Sequence, residues 1–336
     1  MNKKAIVFTF ISIMIAGLLS LMFSTNQITP LDSDIRLEET KVLSANNYLQ
    51  NLNLYLENAL EVSGYAAFQG MIENIWITDT YYANEADIYN SFEECILNGT
   101  LESGLEVCPF MENQTITYLT EKIVNISRSE LNMDINVSIK NAWINQTGPF
   151  ITEVHLITDI VLRDRDILWN QTDREIITDI SIHGLTDPLY FKLGIYNSTF
   201  KETLFKRPAF NTTNFEIFLN NSEYIVSQQK NVSGKVSGQP TVRSMSFFGR
   251  LADNYDVYKD SRLTIISVVN PEKLVAAGTP EFVENRSYID YLFLNEINIY
   301  CSSLKFVADT GNKAPIDTAH AFIDFNLTGL ELEDTC

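Results

Sequence analysis

Positive charge is scarce in this 336-residue chain: 24 Lys and Arg stand against 43 Asp and Glu, a formal net charge of −19. Proteins that hold nucleic acid or an anionic lipid surface neutralise phosphates with Lys and Arg, so neither partner is expected. Histidine is nearly absent (His155, His183, His320), and the four cysteines form no C-x-x-C pair, which argues against a zinc site. The nucleophile elbow G-x-S-x-G, H-E-x-x-H, the P-loop and G-x-G-x-x-G do not occur, and with them go the common hydrolase, zincin and nucleotide-binding signatures. S-x-x-K occurs at Ser227–Lys230 and Ser302–Lys305, but no K-T-G accompanies it. Acid pairs such as Asp164 with Asp166, or Asp253 with Asp256, lack the EF-hand spacing and read as solvated surface. No catalytic residue, metal ligand or cofactor is assigned, and the expected class is not an enzyme.

Long apolar runs are also few, and the most prominent opens the chain. Ala5 to Phe23 carry no charge. As a helix these residues would span about 28 Å, close to the hydrocarbon core of a bilayer. A secretory apolar region is shorter, about 7–15 residues, and no small-residue cleavage site follows. Lys3 and Lys4 precede the run, which keeps the N-terminus cytoplasmic. The expectation is a single-pass protein of the cell membrane, in contact with the lipid bilayer through residues 5–23 and with its C-terminal bulk outside. The four residues before the run leave no room for a cytoplasmic signalling domain.

Two features fit an exterior location. Asn-x-Ser/Thr sequons number twelve, at Asn98, Asn113, Asn125, Asn136, Asn145, Asn170, Asn197, Asn211, Asn220, Asn231, Asn285 and Asn326, and they read as N-glycosylation sites. All lie beyond residue 97. The cysteines Cys95, Cys108, Cys301 and Cys336 allow three connectivities. Proximity in sequence favours Cys95–Cys108 and Cys301–Cys336, as disulfides of an oxidising compartment.

Along the chain, Pro30 is expected to interrupt the first helix just outside the membrane. A second helix then runs from Ser33 to Ile75. Ile35, Val42, Leu49 and Leu56 recur every seven residues, with Ala45, Leu52, Ala59 and Ala66 three later. This is an a/d seam of helix-packing residues, Ile35, Val42, Leu49, Leu52 and Leu56 foremost. Leu43, Leu54, Leu60 and Tyr65 lie off it, and Gly64 and Gly70 are expected to weaken its far end. Short helices follow, one capped by Asn84 or Asp79 and running through Phe92 to Leu97 with Gly99 as its stop, another from Asn113 to Ser129. Alternation of Ile135, Val137 and Ile139, then Val154, Leu156, Ile160 and Leu162, then Ile176, Ile180 and Ile182 predicts an antiparallel meander, with "DRDILWNQTD" as a connecting turn. His155 and His183 fall at the opposite parity and are expected on an exposed or half-exposed face. A helix is expected at Phe215–Val226, and strands at "RLTIISVV", "SYIDYLFL" and "AHAFIDFNL".

The fold class is therefore α+β: a transmembrane helix continuing into a long amphipathic helix, then short helices and an antiparallel sheet. The expected divisions are residues 1–24 (stub and transmembrane helix), 25–78 (kinked membrane-proximal helix) and 79–336 (extracellular domain). This plan, with its start "MNKKA", its proline interruption and its helix ahead of a disulfide-bearing sheet, resembles the type IV pilin-like surface proteins of archaea. "ALEVSGYAAFQGMIENI", "FEECILNGT", "GLTDPLY" and "SYIDYLFL" are similar to segments of uncharacterised single-pass archaeal proteins. The resemblance implies a surface structural or interaction role, with pilus-like subunits as partners. Pilins carry a glutamate at the fifth position of the mature helix; processing after Ala5 would put Phe10 there. That departure points to a minor, tip or accessory subunit, or to a plain membrane-anchored protein of similar shape, rather than to a major subunit. The alternative is a ligand-binding or sensor ectodomain acting with a partner; third comes an anchored hydrolase, without a motif.

Overall fold

The computed structural model describes residues 33–101, 104–164, 167–193, 225–229, 245–254, 263–269, 290, 304–309, 312–317 and 331–334. The apolar run at 5–23 and Pro30 lie outside them. Among the described residues no helix is long and apolar enough to cross a membrane.

Helix α1 is one uninterrupted element, Ser33–Thr78, about 69 Å long at the α-helical rise. It stops where Asp79 takes a left-handed backbone, φ 53°, a conformation that Asp tolerates at a helix end. From Ala45 onward the expected seam is buried: Ala45, Leu49, Leu52, Leu56, Ala59 and Ala66 all belong to the core, as does Leu60 from off the seam. Between Ser63 and Ile72 nearly the whole circumference is covered, which is why the apolar pattern spreads over more than one face. Gly64 and Gly70 are not weak points. A Cβ on Gly64 would meet Ile180 Cδ1 at 2.2 Å, and one on Gly70 would meet the Pro109 carbonyl oxygen at 2.3 Å. Both glycines let other parts of the fold approach the helix backbone, an advantage that offsets their lower helix propensity.

Helix α2, Glu85–Asn98, begins at Asn84, whose side chain accepts from Asp87 N–H, and ends at Gly99 with φ 71°. Asp87 returns the cap by accepting from Ala83 N–H at 2.9 Å. A short hairpin of β1, Thr100–Leu101, and β2, Glu106–Val107, follows. A disulfide links Cys95 to Cys108, tying the hairpin to α2. Helix α3, Ile116–Glu130, is capped by Thr115. It is fastened to α1 by Tyr55 donating to the Leu119 carbonyl at 3.0 Å and by the hydroxyl contact between Tyr48 and Ser127. Reducing the Cys95–Cys108 bond, which spans 13 residues, should cost about 3 kcal/mol on the chain-entropy estimate. Urea titration with and without reductant measures this. Peptide mapping that joins Cys95 to Cys301 would refute the pairing.

Strands β3, Asp134–Gly148, β4, Ile151–Asp164, and β5, Ile167–Ser181, form an antiparallel meander in the order β3-β4-β5. Of the residues expected to alternate inward, Ile135, Val154, Leu156, Ile160, Leu162, Ile176, Ile180 and Ile182 are buried, and Val137 and Ile139 are partly buried against the core. "ILWNQTD" is not a turn: it is the first half of β5, with Trp169 opposite Leu162 and Asn170 opposite Val161. Its polar residues looked like turn chemistry because Asn170, Gln171, Thr172 and Asp173 are consecutive and span the register shift opposite Asp159, where the two-residue period breaks. Register shifts at Lys140 in β3 and between Thr158 and Ile160 in β4 line up across the sheet. Lys140 Nζ clips them, lying 2.8 Å from Asp159 and 2.6 Å from Asp173. These aligned bulges bend the long strands locally.

Beyond the 3-10 helix Pro188–Leu193, β6, Ile225–Gln229, β7, Met245–Ser246, and β8, Thr264–Val269, pair antiparallel in the order β6-β8-β7. Val226 is in a strand, so the helix expected at 215–226 does not reach it; residues 215–224 lie outside the described residues. Helix α4 is Phe247–Leu251. Strands β9, Leu304–Asp309, β10, Asn312–Asp317, and β11, Glu331–Asp334, form another sheet, ordered β10-β9-β11. Of the strands expected at "SYIDYLFL" and "AHAFIDFNL", only Asp290 is described.

Candidate functional site

The three helices and the sheet's inner face share the core, in the two-layer manner of α+β folds. Among the described residues, exposed apolar side chains lie on α1, on the sheet's outer face and around the β1–β2 hairpin, where Leu105, Val107 and Phe110 are exposed. Residues Thr40, Val42, Leu43 and Ser44 are exposed, with Val42 at 42 % and Leu43 at 55 %. Leu54 and Val62 are exposed further along the helix. The seam thus divides at Ala45. Val42 shows outward while Leu49, Leu52 and Leu56 serve this chain's own core; of Ile35 only the helical backbone is described.

The sheet's outer face carries Asn136, Trp143 and Asn145 from β3, Glu153, His155 and Val161 from β4, and Asn170, Glu175 and Ile177 from β5. Asn136, Val161 and Asn170 make one cross-strand row. Trp143, His155 and Ile177 make another, and Asn145 faces Glu153 in a third. His155 is only 7 % exposed although it stands on the outer face. The indole of Trp143 lies flat on its imidazole, with centroids 3.5 Å apart and planes 9° apart, and Nδ1 is 2.9 Å from Glu175 Oε1. His183 is likewise stacked, on Phe150. The side chains that cover each histidine come from distant positions in sequence, so parity alone left His155 exposed.

Every described sequon asparagine, Asn98, Asn113, Asn125, Asn136, Asn145 and Asn170, is exposed. They lie at the end of α2, before and on α3, on β3 and on β5; none is on α1. One sequon has a second use for its hydroxyl: Ser127, two residues after Asn125, is buried against Tyr48 and donates to the Ile123 carbonyl at 2.7 Å. Asn197, Asn211, Asn220, Asn231, Asn285 and Asn326 lie outside the described residues, as do Cys301 and Cys336. Strand β9 starts shortly after Cys301, β11 ends shortly before Cys336, and Asp334 pairs with Lys305.

No family model matches the chain, and no curated protein or solved structure matches it. Among the described residues no group of three or more His, Cys, Asp and Glu is placed to hold a metal ion. A depression beside α3 is lined by Tyr118, Glu121, Lys122, Asn125, Ile126, Arg128 and Ser129; these residues belong to one helix, so among the described residues it has no opposing wall.

One cluster escaped the sequence reading. Arg250 of α4 is fully buried with Asp187, Tyr190, Ser267 and Asp290. Its guanidinium donates to Asp187, to Asp290, and to the Ile265 carbonyl at 2.7 Å. Asp187 also accepts from Leu189 N–H at 3.0 Å and so starts the 3-10 helix. Burial pushes the Asp187 carboxyl above the usual carboxylate range, against the pull of Arg250. Burial, aided by Asp290, raises the Tyr190 hydroxyl as well. With one cation between two carboxylates and no access to solvent, the cluster is a tether rather than a reaction centre. It joins the end of the meander to α4, β8 and Asp290. The available signal was an arginine set in the apolar run "MSFFGRLA".

Proposed function

We propose that this chain is a membrane-anchored, N-glycosylated cell-surface protein of structural or interaction type, serving as a minor or accessory subunit of a type IV pilus-like assembly. The observation that carries the reading is the division of the surface. Sequon asparagines are exposed on α2, α3 and both edge strands of the meander, while α1 has none and presents Val42 and Leu43 to solvent. A face kept clear of glycans and lined with apolar side chains is suited to contact with other subunits. The apolar run at 5–23 supplies the anchor.

Protease added to intact cells should degrade the region beyond residue 33 and leave a small protected N-terminal fragment. Glycopeptide mapping of the same material should find occupied sites among Asn98, Asn113, Asn136, Asn145 and Asn170. A soluble mature form that starts near residue 25 would overturn the anchor, and unmodified peptides at all twelve sequons would overturn the glycoprotein.

A further inference from the structure

On the sheet's outer face one sequon differs in its surroundings. Asn145 lies two residues after Trp143 in β3, and both side chains are exposed on the same face. In a strand, residues two apart sit about 7 Å from each other, within reach of the first sugar of an asparagine-linked glycan. Trp143 is 39 % exposed, yet it is not loose. One face of its indole is fixed on His155, and His155 is held in turn by Glu175. The rest of the ring is open to solvent, so the indole is a rigid aromatic platform at the edge of the sheet. Opposite Asn145 stands Glu153, whose carboxylate is partly exposed and accepts hydrogen bonds only. The backbone around Asn145 is also fixed: Gln146 turns inward and donates to the Gly148 and Leu263 carbonyls, each at 3.0 Å.

A pyranose has an apolar face of C–H groups and a rim of hydroxyls. An aromatic ring presents a negative face to the first, and a carboxylate accepts from the second. The alternative, a bare exposed indole, keeps a large apolar surface in water for no gain. We infer that Trp143 and Glu153 form a docking platform for the first sugar of the glycan on Asn145, with the sugar stacked on the open part of the indole, a hydroxyl on Glu153, and His155 and Glu175 as positioning residues. The other sequons of this face are not built this way. Asn136 and Asn170 flank Val161 in their row, and no aromatic residue stands two positions before either in its strand. Their glycans should swing free.

This inference rests on the glycosylation read above, and the test separates the two. The full chain is produced in a host that N-glycosylates, and occupancy at Asn145 is read by glycopeptide mapping. Tryptophan emission and thermal unfolding are then followed before and after enzymatic removal of the glycans, for the wild type and for Trp143→Phe, Trp143→Ala, Glu153→Gln and Asn145→Gln. In the wild type, deglycosylation should shift the emission to longer wavelength and lower Tm by about 2–4 °C. Trp143→Ala, with unchanged circular dichroism, should abolish the Tm difference; Trp143→Phe should keep most of it. Asn145→Gln should mimic deglycosylation, although the other sites remain occupied. Occupied Asn145 with a Tm difference that survives Trp143→Ala would overturn the platform and leave the glycoprotein reading intact. Unmodified Asn145 would overturn both at this site. Restoration of the emission by free sugar added to deglycosylated protein would overturn the intramolecular platform in favour of a site for external carbohydrate.

Discussion

Arg250→Ala is expected to destabilise the fold by about 3–5 kcal/mol at neutral pH. The guanidinium is fully buried between Asp187 and Asp290, which are fully buried themselves. Removing it leaves two carboxylates without their cation and the Ile265 carbonyl without this donor. Breaking a buried pair from one side costs far more than the intact pair contributes, because the abandoned charge keeps its desolvation penalty. The pH dependence has a definite sign. The folded-state value of Asp187 is raised by burial even with Arg250 in place. Its stabilising contribution is therefore present below the unfolded value and lost as pH rises through the folded one. Without Arg250 the rise is opposed only by the hydrogen bond from Leu189 N–H, and Asp290 adds to it, so the deficit of the variant should shrink between about pH 7 and about pH 5. A triple variant, Arg250→Met with Asp187→Asn and Asp290→Asn, removes all three charges and keeps an acceptor for Leu189 N–H. It should recover most of the loss. Urea titrations of the variants at both pH values decide the matter. A loss under about 1 kcal/mol, with no dependence on pH, would show that the cluster is not a desolvated ion triad.

That cluster also marks where the sequence stopped being informative. Its charged members are 63 and 40 residues apart, and no local period connects them. Asp187 has a local role, accepting from Leu189 N–H at the start of the 3-10 helix; its bond across the core to Arg250 has no local signature. Where the physics is local, the reading was close. Asn84 and Gly99 bound α2 because a side-chain cap and a left-handed glycine are chosen by their immediate neighbours. The inward sets of β3, β4 and β5 were legible because a half-buried sheet imposes a two-residue period. The first half of β5 was lost because Asn170, Gln171 and Thr172 form an unbroken polar run of turn-forming residue types beside a register shift.

The surfaces followed the same rule. The sequons could be counted, but not placed on faces. That Asn136 and Asn170 share a row, and that Asn145 stands beside a fixed indole, comes from strand register and from the bulge at Lys140, which shifts the parity of β3. Gly64 and Gly70 show the converse error. Propensity marks a glycine in a helix as a weakness, whereas Ile180 and Pro109 need the absent Cβ. Close approach between distant segments is invisible to a scale that scores one residue at a time.

The second large effect lies on α1, where one helix should give two unlike phenotypes. Leu56→Asp with Leu60→Asp is expected to unfold the domain. Both leucines are fully buried, and truncating even one such side chain costs about 2–5 kcal/mol before any charge is buried. Two carboxylates placed among apolar neighbours add the desolvation cost of each. The sum exceeds the total stability of an ordinary domain, about 5–15 kcal/mol at most. Val42→Asp with Leu43→Asp, about four turns earlier, should change stability by no more than about 0.5 kcal/mol per site, because both positions are exposed. If the apolar residues there meet other subunits, the same two charges should abolish complexes captured by crosslinking in native membranes. A carboxylate forced into an apolar interface loses its hydration without gaining a partner. The pairing of variants keeps the test clean: the inner pair reports on the fold, and the outer pair on assembly with the fold intact. Circular dichroism and urea midpoints for both, set beside the crosslinking pattern of the outer pair, give the answer. Unchanged crosslinked complexes in the folded Val42→Asp, Leu43→Asp variant would make this part of α1 a spacer between bilayer and domain, and the pilus-accessory reading would have to be abandoned.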